Sequence, residues 1–391
     1  MTSIYQFEAG ETDREKFIRA GAAAIITRAG HMQLVRQAAK DGPFADQLRD
    51  VGEGPGDLAG WTLSDLARGC LERAGKASGG PAIDVVKRAL EVRGEGSNTT
   101  SDFAILLESA ARNISLGFYA ATPATFRRWC GIKSLQDFRK AKFYRAGSFG
   151  TLDDAPEGGE IKFKNIPDGE AADLTLGTKG NIVGLTRKAI VNDDLSIFRE
   201  LMSAIGEAAA RTIEKAAFDL VRANAGMGPT LADTKALFHA DHKNVGGAGA
   251  LSVDVFGEAM ALLAGQTDPQ GSALNFAPRV WLGPVKLAPT VRQFNTSTAD
   301  PTTGKNSGVG NPLLGIFGDV VGASHLTGTR SYVFADPTLN PTFAVGFLNG
   351  QEGPLISTLP QGSYDGTRWR CLLDFAVGAF DFRTAVTLPG A

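Results

Sequence analysis

The apolar positions of this chain follow two unlike regimes. Up to about residue 115 they recur at helical spacing in short runs. Thr12 and Asp13 are placed to cap a helix with apolar positions Phe17, Ile18, Ala22, Ile25 and Ile26 and its end at Gly30. A second helix is predicted from Thr62, with Leu63, Leu66, Cys70 and Leu71 on one face and Gly75 as the stop. A third has Pro81 in its first turn and Gly94 just past its end. A fourth spans residues 103–114. Gly-rich connectors at 52–60 and 77–80 separate them. Helices this short are marginal alone in water, so they need a partner surface, either the main body or a neighbouring subunit.

Between residues 144 and 224 the pattern changes. Glu160, Ile161, Lys162, Phe163 and Lys164 alternate with period two. Turn chemistry follows at Pro167-Asp168-Gly169, then a return strand through Leu174, Leu176 and Ile182. Two strands of about ten residues at ~3.3 Å each make a ribbon of roughly 30 Å. An isolated hairpin of that kind is marginal, and one with so little apolar face should dock on something other than its own domain. Asn192-Asp193-Asp194 then offers capping chemistry and negative charge at a helix N-terminus. Phe198, Leu201, Met202, Ile205, Ala209, Ile213, Ala216, Leu220 and Val221 hold a helical period to Asn224, with Gly226 as the break. About 28 residues at ~1.5 Å each make a helix of roughly 42 Å.

From Val255 onward the reading is α+β. A helix near 255–263 precedes a strand at 279–282, and a polar loop runs from Asn295 to Pro312. Further strands are predicted near 315–321, 331–334 and 343–347. Trp369, Cys371, Leu373, Phe375 and Val377 alternate with polar residues in a long half-buried strand. After Gly378 the parity flips, with Phe380 and Phe382 apolar and Asp381 and Arg383 polar, the mark of a glycine bulge or bend.

Charge sharpens this picture. Forty Lys and Arg against 42 Asp and Glu leave a formal charge of −2, without the basic excess of a dedicated nucleic-acid binder. The local distribution is uneven. Residues 112–145 carry Arg112, Arg127, Arg128, Lys133, Arg139, Lys140, Lys142 and Arg145 against Asp137 alone. Residues 150–175 carry Asp153, Asp154, Glu157, Glu160, Asp168, Glu170 and Asp173 against Lys162 and Lys164. Such runs are either two solvated faces or complementary surfaces on neighbouring copies. On the second reading the candidate inter-subunit residues are Arg127, Arg128, Arg139, Lys140, Lys142, Asp153, Asp154, Glu157, Glu160, Lys162 and Lys164. Three well-separated cysteines imply reduced thiols and a cytoplasmic setting. No apolar run approaches a membrane span, and no secretion leader is expected.

Enzyme-like motifs are weak. His239-Ala240-Asp241-His242 could offer three groups to a metal in a metal-dependent hydrolase, but no further His or Cys lies near in sequence. A polar turn bonded to its own backbone is the simpler reading. Gly304-Lys305 fails the phosphate-loop pattern, since Ala299 stands where the first Gly belongs and Asn306 replaces Ser or Thr. Ser324-His325 lacks any nucleophile elbow. No catalytic residue, cofactor or metal is therefore expected.

The order of these parts resembles the major capsid proteins of tailed bacteriophages, the Hong Kong ninety-seven type of fold, and within it the Mu-like branch that includes prohead protease–capsid fusions. The resemblance covers essentially the whole chain. It is carried by Glu157-Gly158-Gly159-Glu160, by the stretch Thr186 to Leu195 before the long helix, and by Ala236 to His242 after it. Residues 11–30 and Ser101-Asp102-Phe103 also look like that branch's N-terminal stretch. The resemblance implies an N-terminal helical arm (1–115), a basic connector (116–145) and an extended hairpin, the E-loop (146–186). It further implies a peripheral domain with its spine helix (187–250), an axial domain (251–360) and C-terminal strands returning to the peripheral domain (361–391). The implied function is an icosahedral shell of hexamers and pentamers around double-stranded DNA, in the virion after assembly in the host cytoplasm. Implied partners are the chain itself, a portal, and decoration or scaffolding proteins, with no membrane. An encapsulin-like nanocompartment shell is the alternative within the same fold. Some relatives crosslink through Lys and Asn; Lys162 and Lys164 lie in the ribbon, but no partner Asn is matched.

Overall fold

The computed structural model describes residues 13–41, 44–48, 54–91, 101–145, 152, 154, 171–301, 310–359 and 365–391. The N-terminal part contains α1 (Asp13–Arg28), α2 (Met32–Asp41), α3 (Ala45–Leu48), α4 (Leu63–Arg73), α5 (Ala82–Glu91) and α6 (Asp102–Ala121). Strands β1 (Gly131–Leu135), β2 (Ala141–Tyr144), β3 (Ala171–Leu174) and β4 (Gly177–Thr186) follow, then α7 (Arg187–Val191) and α8 (Leu195–Gly226). The remainder is α9 (Val253–Ala264), β5 (Val280–Pro284), α10 (Ala288–Thr296), β6 (Asp319–Ala323), β7 (Ser331–Phe334), β8 (Phe343–Leu348), β9 (Leu355–Leu359), β10 (Gly366–Ala379) and β11 (Ala385–Leu388). This is the α+β class expected. The chain forms two compact units: Met1–Pro123, Thr178–Arg211 and Glu352–Asp374 make the first, and Ala124–Gly177, Thr212–Gln351 and Phe375–Ala391 the second. Helix α8 and strand β10 have residues in both.

In the first unit the short helices find their partner surface in one another. Helix α6 is the hub, touched by α1, α2, α4 and α5, with Phe103, Leu106, Leu107 and Ile114 fully buried. It runs to Ala121, well past the predicted 103–114, because Leu116, Gly117 and Tyr119 are also buried. Helix α4 starts as predicted. Thr62 Oγ1 accepts from Asp65 N, and the Asp65 carboxylate accepts from Thr62 N, a reciprocal capping box. A further N-terminal donor, Leu63 N, is met by Asp193 Oδ1 at 2.9 Å, and Arg28 pairs with the same carboxylate. Of the two acids read as caps for the long helix, only Asp194 does that work, accepting from Ile197 N at 3.3 Å. Asp193 holds α4 and α1. Helix α6 is also bonded to the start of α8, where Ser115 Oγ donates to Met202 O at 3.0 Å. Gly206 is a close-approach position: a Cβ there would collide with Ser115 O and lie 2.9 Å from Phe118 Cβ. Residues 368–372 of β10 pair antiparallel with β9, whose Thr358 N donates to Glu108 on α6 at 2.7 Å.

Helix α8 keeps its predicted length but leaves helical geometry at Ala223, slightly before the expected Asn224. In the second unit its buried residues include Ile213, Glu214, Ala217, Phe218 and Val221. A four-stranded sheet, β11-β7-β5-β6, packs its Trp281, Val320, Val333 and Val386 with Phe256 of α9 and Phe294 of α10. Strand β6 is displaced from the predicted 315–321, because Leu313, in a turn, and Phe317, in the irregular backbone after it, reach this core before the strand begins. Strand β8 lies between β1, parallel, and residues 375–379 of β10, antiparallel. The register through Gly378 is regular, so no bulge forms there. That glycine is needed for contact, since a Cβ would stand 2.8 Å from Leu174 Cδ1. The predicted outward Asp381 and Arg383 are instead buried. The strand has ended by then, and Phe382–Thr384 forms a 3₁₀ turn capped by Asp381, whose Oδ1 accepts from Arg383 N at 3.0 Å.

Candidate functional site

The root of the predicted ribbon is a short antiparallel ladder. Ala141 pairs with Leu174, and Tyr144 with Ala171, so the two chain positions that bracket residues 145–170 lie side by side. The ladder is seated on apolar side chains: Ala172, Leu174 and Leu176 cluster with Leu135, Ala344, Ala376 and Phe380. Phe143 meets Phe380 with ring centroids 5.1 Å apart. The return strand is not continuous through Leu174, Leu176 and Ile182, as predicted. It breaks after Leu174, and Ile182 falls on β4, where it is exposed. The predicted strand at Glu160–Lys164 and the turn at Pro167-Asp168-Gly169 lie outside the described residues, as do Asp153, Glu157, Glu160, Lys162 and Lys164 of the candidate set. Asp154 is exposed.

The basic candidates belong to the second unit. Arg128 is bidentate on Asp319, and that hydrogen-bonded pairing holds its guanidinium still further into the charged range. The turn bearing Arg127 and Arg128 is fastened by Glu214 of α8. This carboxylate, buried, accepts from Thr125 N, Thr125 Oγ1 and Phe126 N. The Arg127 guanidinium lies 5.2 Å from the Phe126 ring centroid. Lys140 pairs with Asp173 across the ladder, so one contact between the basic and acidic runs is made within a single chain. Arg139 is highly exposed and 3.8 Å from Asp137, and Lys142 is exposed. Neither Glu214 nor Asp319 stands out in the sequence: each sits in ordinary surroundings, far along the chain from its partner.

Arg145, the residue after the ladder, is buried. Its Nε donates to Phe380 O at 3.2 Å, and its guanidinium lies 5.2 Å from the Phe382 ring centroid. Phe382 stacks on His242, with centroids 4.0 Å apart and an interplanar angle of 14°. His242 Nδ1 lies 3.0 Å from Leu237 O, and Nε2 lies 2.6 Å from Asp233 Oδ2. The segment is thus a 3₁₀ turn tied to its own backbone. His239 Nδ1 caps it, accepting from Asp241 N at 3.2 Å. His242 has both nitrogens engaged. Among the described residues no three His, Cys, Asp or Glu side chains are grouped to hold a metal ion. His325 stacks on Phe218 at 4.8 Å rather than activating Ser324. Gly304 and Lys305 lie outside the described residues.

A family model described as phage capsid protein matches residues 169–388, more than half of the chain. No curated protein matches. Among solved structures the chain is similar to one from Microbacterium phage Oxtober96, with 12% identity, 69% of this chain and 92% of that chain covered, and a TM-score of 0.41. It is similar to the procapsid of bacteriophage JBD30, with 14% identity, coverages of 72% and 73%, and a TM-score of 0.40. It is also similar to the SrpI encapsulin complex of Synechococcus elongatus, with 9% identity, coverages of 68% and 87%, and a TM-score of 0.39.

Proposed function

The chain belongs to the phage capsid protein family and is a major capsid protein, a structural subunit that assembles with its own copies into a shell; we propose that this shell is icosahedral, built of hexamers and pentamers, and encloses double-stranded DNA without reading its sequence. In this reading the segment between β2 and β3 is an arm lying over an adjacent copy. Residues 187–250 form the peripheral domain and residues 251–360 the axial domain. A portal and scaffolding or decoration proteins are further partners, and assembly takes place in the host cytoplasm.

The supporting observation is the ladder at the arm's root. The paired Tyr144 and Ala171 bracket a segment whose residues 146–170 hold six acids against two lysines. Such a composition gives little apolar surface with which to settle on its own body. The basic residues of 127–142 are its complement on a neighbour. Each exposed ion pair is worth only ~0–1 kcal/mol, but in a closed lattice later contacts become effectively intramolecular.

Arg128 is a poor test residue, because reversing its charge would also break its pairing with Asp319. Arg139→Glu combined with Lys142→Glu alters two exposed positions. The expected outcome is a subunit with unchanged far-UV circular dichroism that no longer forms shells; normal shells in negative stain would overturn the docking. Nuclease-protected DNA inside wild-type particles is the expected cargo, and packaged enzyme in its place would favour the nanocompartment instead.

A further inference from the structure

Helices α1 and α6 of the first unit line a cavity of about 370 Å³, within the ~300–1,000 Å³ range of sites that hold ligands. Ile18 and Ala22 of α1 contribute to its wall, as do Ile105, Ser109 and Asn113, which recur every fourth residue on one face of α6. The lined stretch of α6 is about 12 Å long at ~1.5 Å per residue, the reach of three or four extended residues at ~3.3 Å each.

Asn113 is the anomaly in this wall. It sits in the middle of α6 and is only 3% exposed, and among the described residues its Oδ1 meets no hydrogen-bond donor. Buried polar groups in folded proteins are nearly always paired. Asparagine is also a poorer helix former than leucine or alanine. The stability of the free subunit thus argues against this residue, and an apolar side chain of the same shape would suit the position better. A donor that arrives from outside the folded subunit would satisfy the oxygen.

The rest of the lining limits what that donor can belong to. Glu15 and Arg19 on α1 offset each other in formal charge, as do Glu108 and Arg112 on α6. Glu108 is in addition engaged by Thr358 N at 2.7 Å. A wall balanced in this way favours neither the phosphates of nucleic acid nor a polycation. Ile18, Ala22 and Ile105 offer apolar surface to a small side chain. A side-chain amide presents an acceptor and a donor, and so does a peptide unit. Asn113 therefore matches the main chain of an uncharged, extended segment.

We propose that this cavity receives an extended stretch of a second copy of this chain, with a main-chain N–H of that copy donating to Asn113 Oδ1. The second copy is the occupant because the chain is a subunit that assembles with its own copies, so each subunit in a shell meets that partner. The unmet oxygen is carried by the free subunit and satisfied on assembly. This rests on the reading of the chain as a shell subunit and is independent of the arm at 145–170.

The test compares full-length unassembled subunits with particles, separated by sedimentation. Asn113→Leu removes both ends of the amide at nearly constant shape. The unassembled variant should have a urea midpoint equal to or above that of wild type, yet need about tenfold more protein to form shells, the equivalent of one lost hydrogen bond. Unchanged assembly would overturn the proposal. Should Asn113→Leu lower the midpoint instead, Ser109 decides. Ser109→Phe fills the cavity without altering Asn113, and should block assembly with unchanged far-UV circular dichroism; normal shells from it would overturn the proposal as well. Ser109→Cys reports occupancy directly. Measured against the wild-type background of Cys70, Cys130 and Cys371, the introduced thiol should react with a small maleimide about tenfold more slowly in particles than in free subunits. Equal rates in the two states mean a cavity that holds only water, and sink the proposal while leaving the shell intact. Wild type that forms no particle would instead remove the self-assembling subunit on which it rests.

Discussion

Of the glycines inside helices, Gly257 and Gly206 should respond to alanine with opposite sign. Alanine in a helix interior is favoured over glycine by about 0.8–1.0 kcal/mol. At Gly257 of α9, a new Cβ meets nothing within 4 Å, so Gly257→Ala should realise that gain. At Gly206 of α8 the new methyl collides with the Ser115 backbone oxygen and stands 3.0 Å from Tyr119 N. Neither neighbour can rotate away, because both belong to the backbone of α6. Overpacking of this kind costs about 1–3 kcal/mol. Parting the helices also strains the bond from Ser115 Oγ to Met202 O, worth about 0.5–1.5 kcal/mol net. With the helical preference set against these, Gly206→Ala should destabilise the subunit by about 1–3 kcal/mol. Urea unfolding of unassembled protein, followed at 222 nm, measures both variants. If Gly206→Ala proves as stable as wild type, α6 and α8 are not in backbone contact and the account of the first unit is wrong.

Other consequences are as direct. Glu214→Ala removes the acceptor of two backbone N–H groups and the Thr125 hydroxyl, with each buried donor left unmet costing about 1–3 kcal/mol. A lowered urea midpoint is expected, and Glu214→Gln should recover only part of it. Asp233 titrates below the ordinary carboxylate range: burial pushes it up, but its bonds to His242 and to Lys235 N outweigh that. A carboxylate lowered by folding contributes stability above its unfolded value of about 3.9, lost as pH falls through the lower folded value. Wild type should thus lose more stability than Asp233→Asn between about pH 5 and pH 3.

Much of this architecture is legible in the sequence where the signal is local. Thr62 and Asp65 mark a capping box with no knowledge of the fold, and the apolar period of α8 is strong enough to give its length. Helix α2 escapes such reading because Met32, Val35 and Ala38 make a thin stripe, with His31 rather than a good capping residue before it. The pairings that fasten the candidate surface are non-local. Thr125 lies 89 residues from Glu214, and Arg128 lies 191 from Asp319. Composition shows a basic run; only the fold shows that Arg128 and Lys140 already have acidic partners in the same chain. Asp381 and Arg383 mislead for a related reason, since alternation assigns faces only while a strand continues.

The hub position of α6 bears on proteolytic trimming. Excising the first hundred residues would take Gly21 away from Leu106, and Val35 away from Gly117. Phe103, Leu106, Leu107 and Ile114 on α6 are fully buried, and each that lost its cover would cost about 1.5–3 kcal/mol. Removing the leading helices would therefore take away part of the first unit's own core rather than a detachable segment.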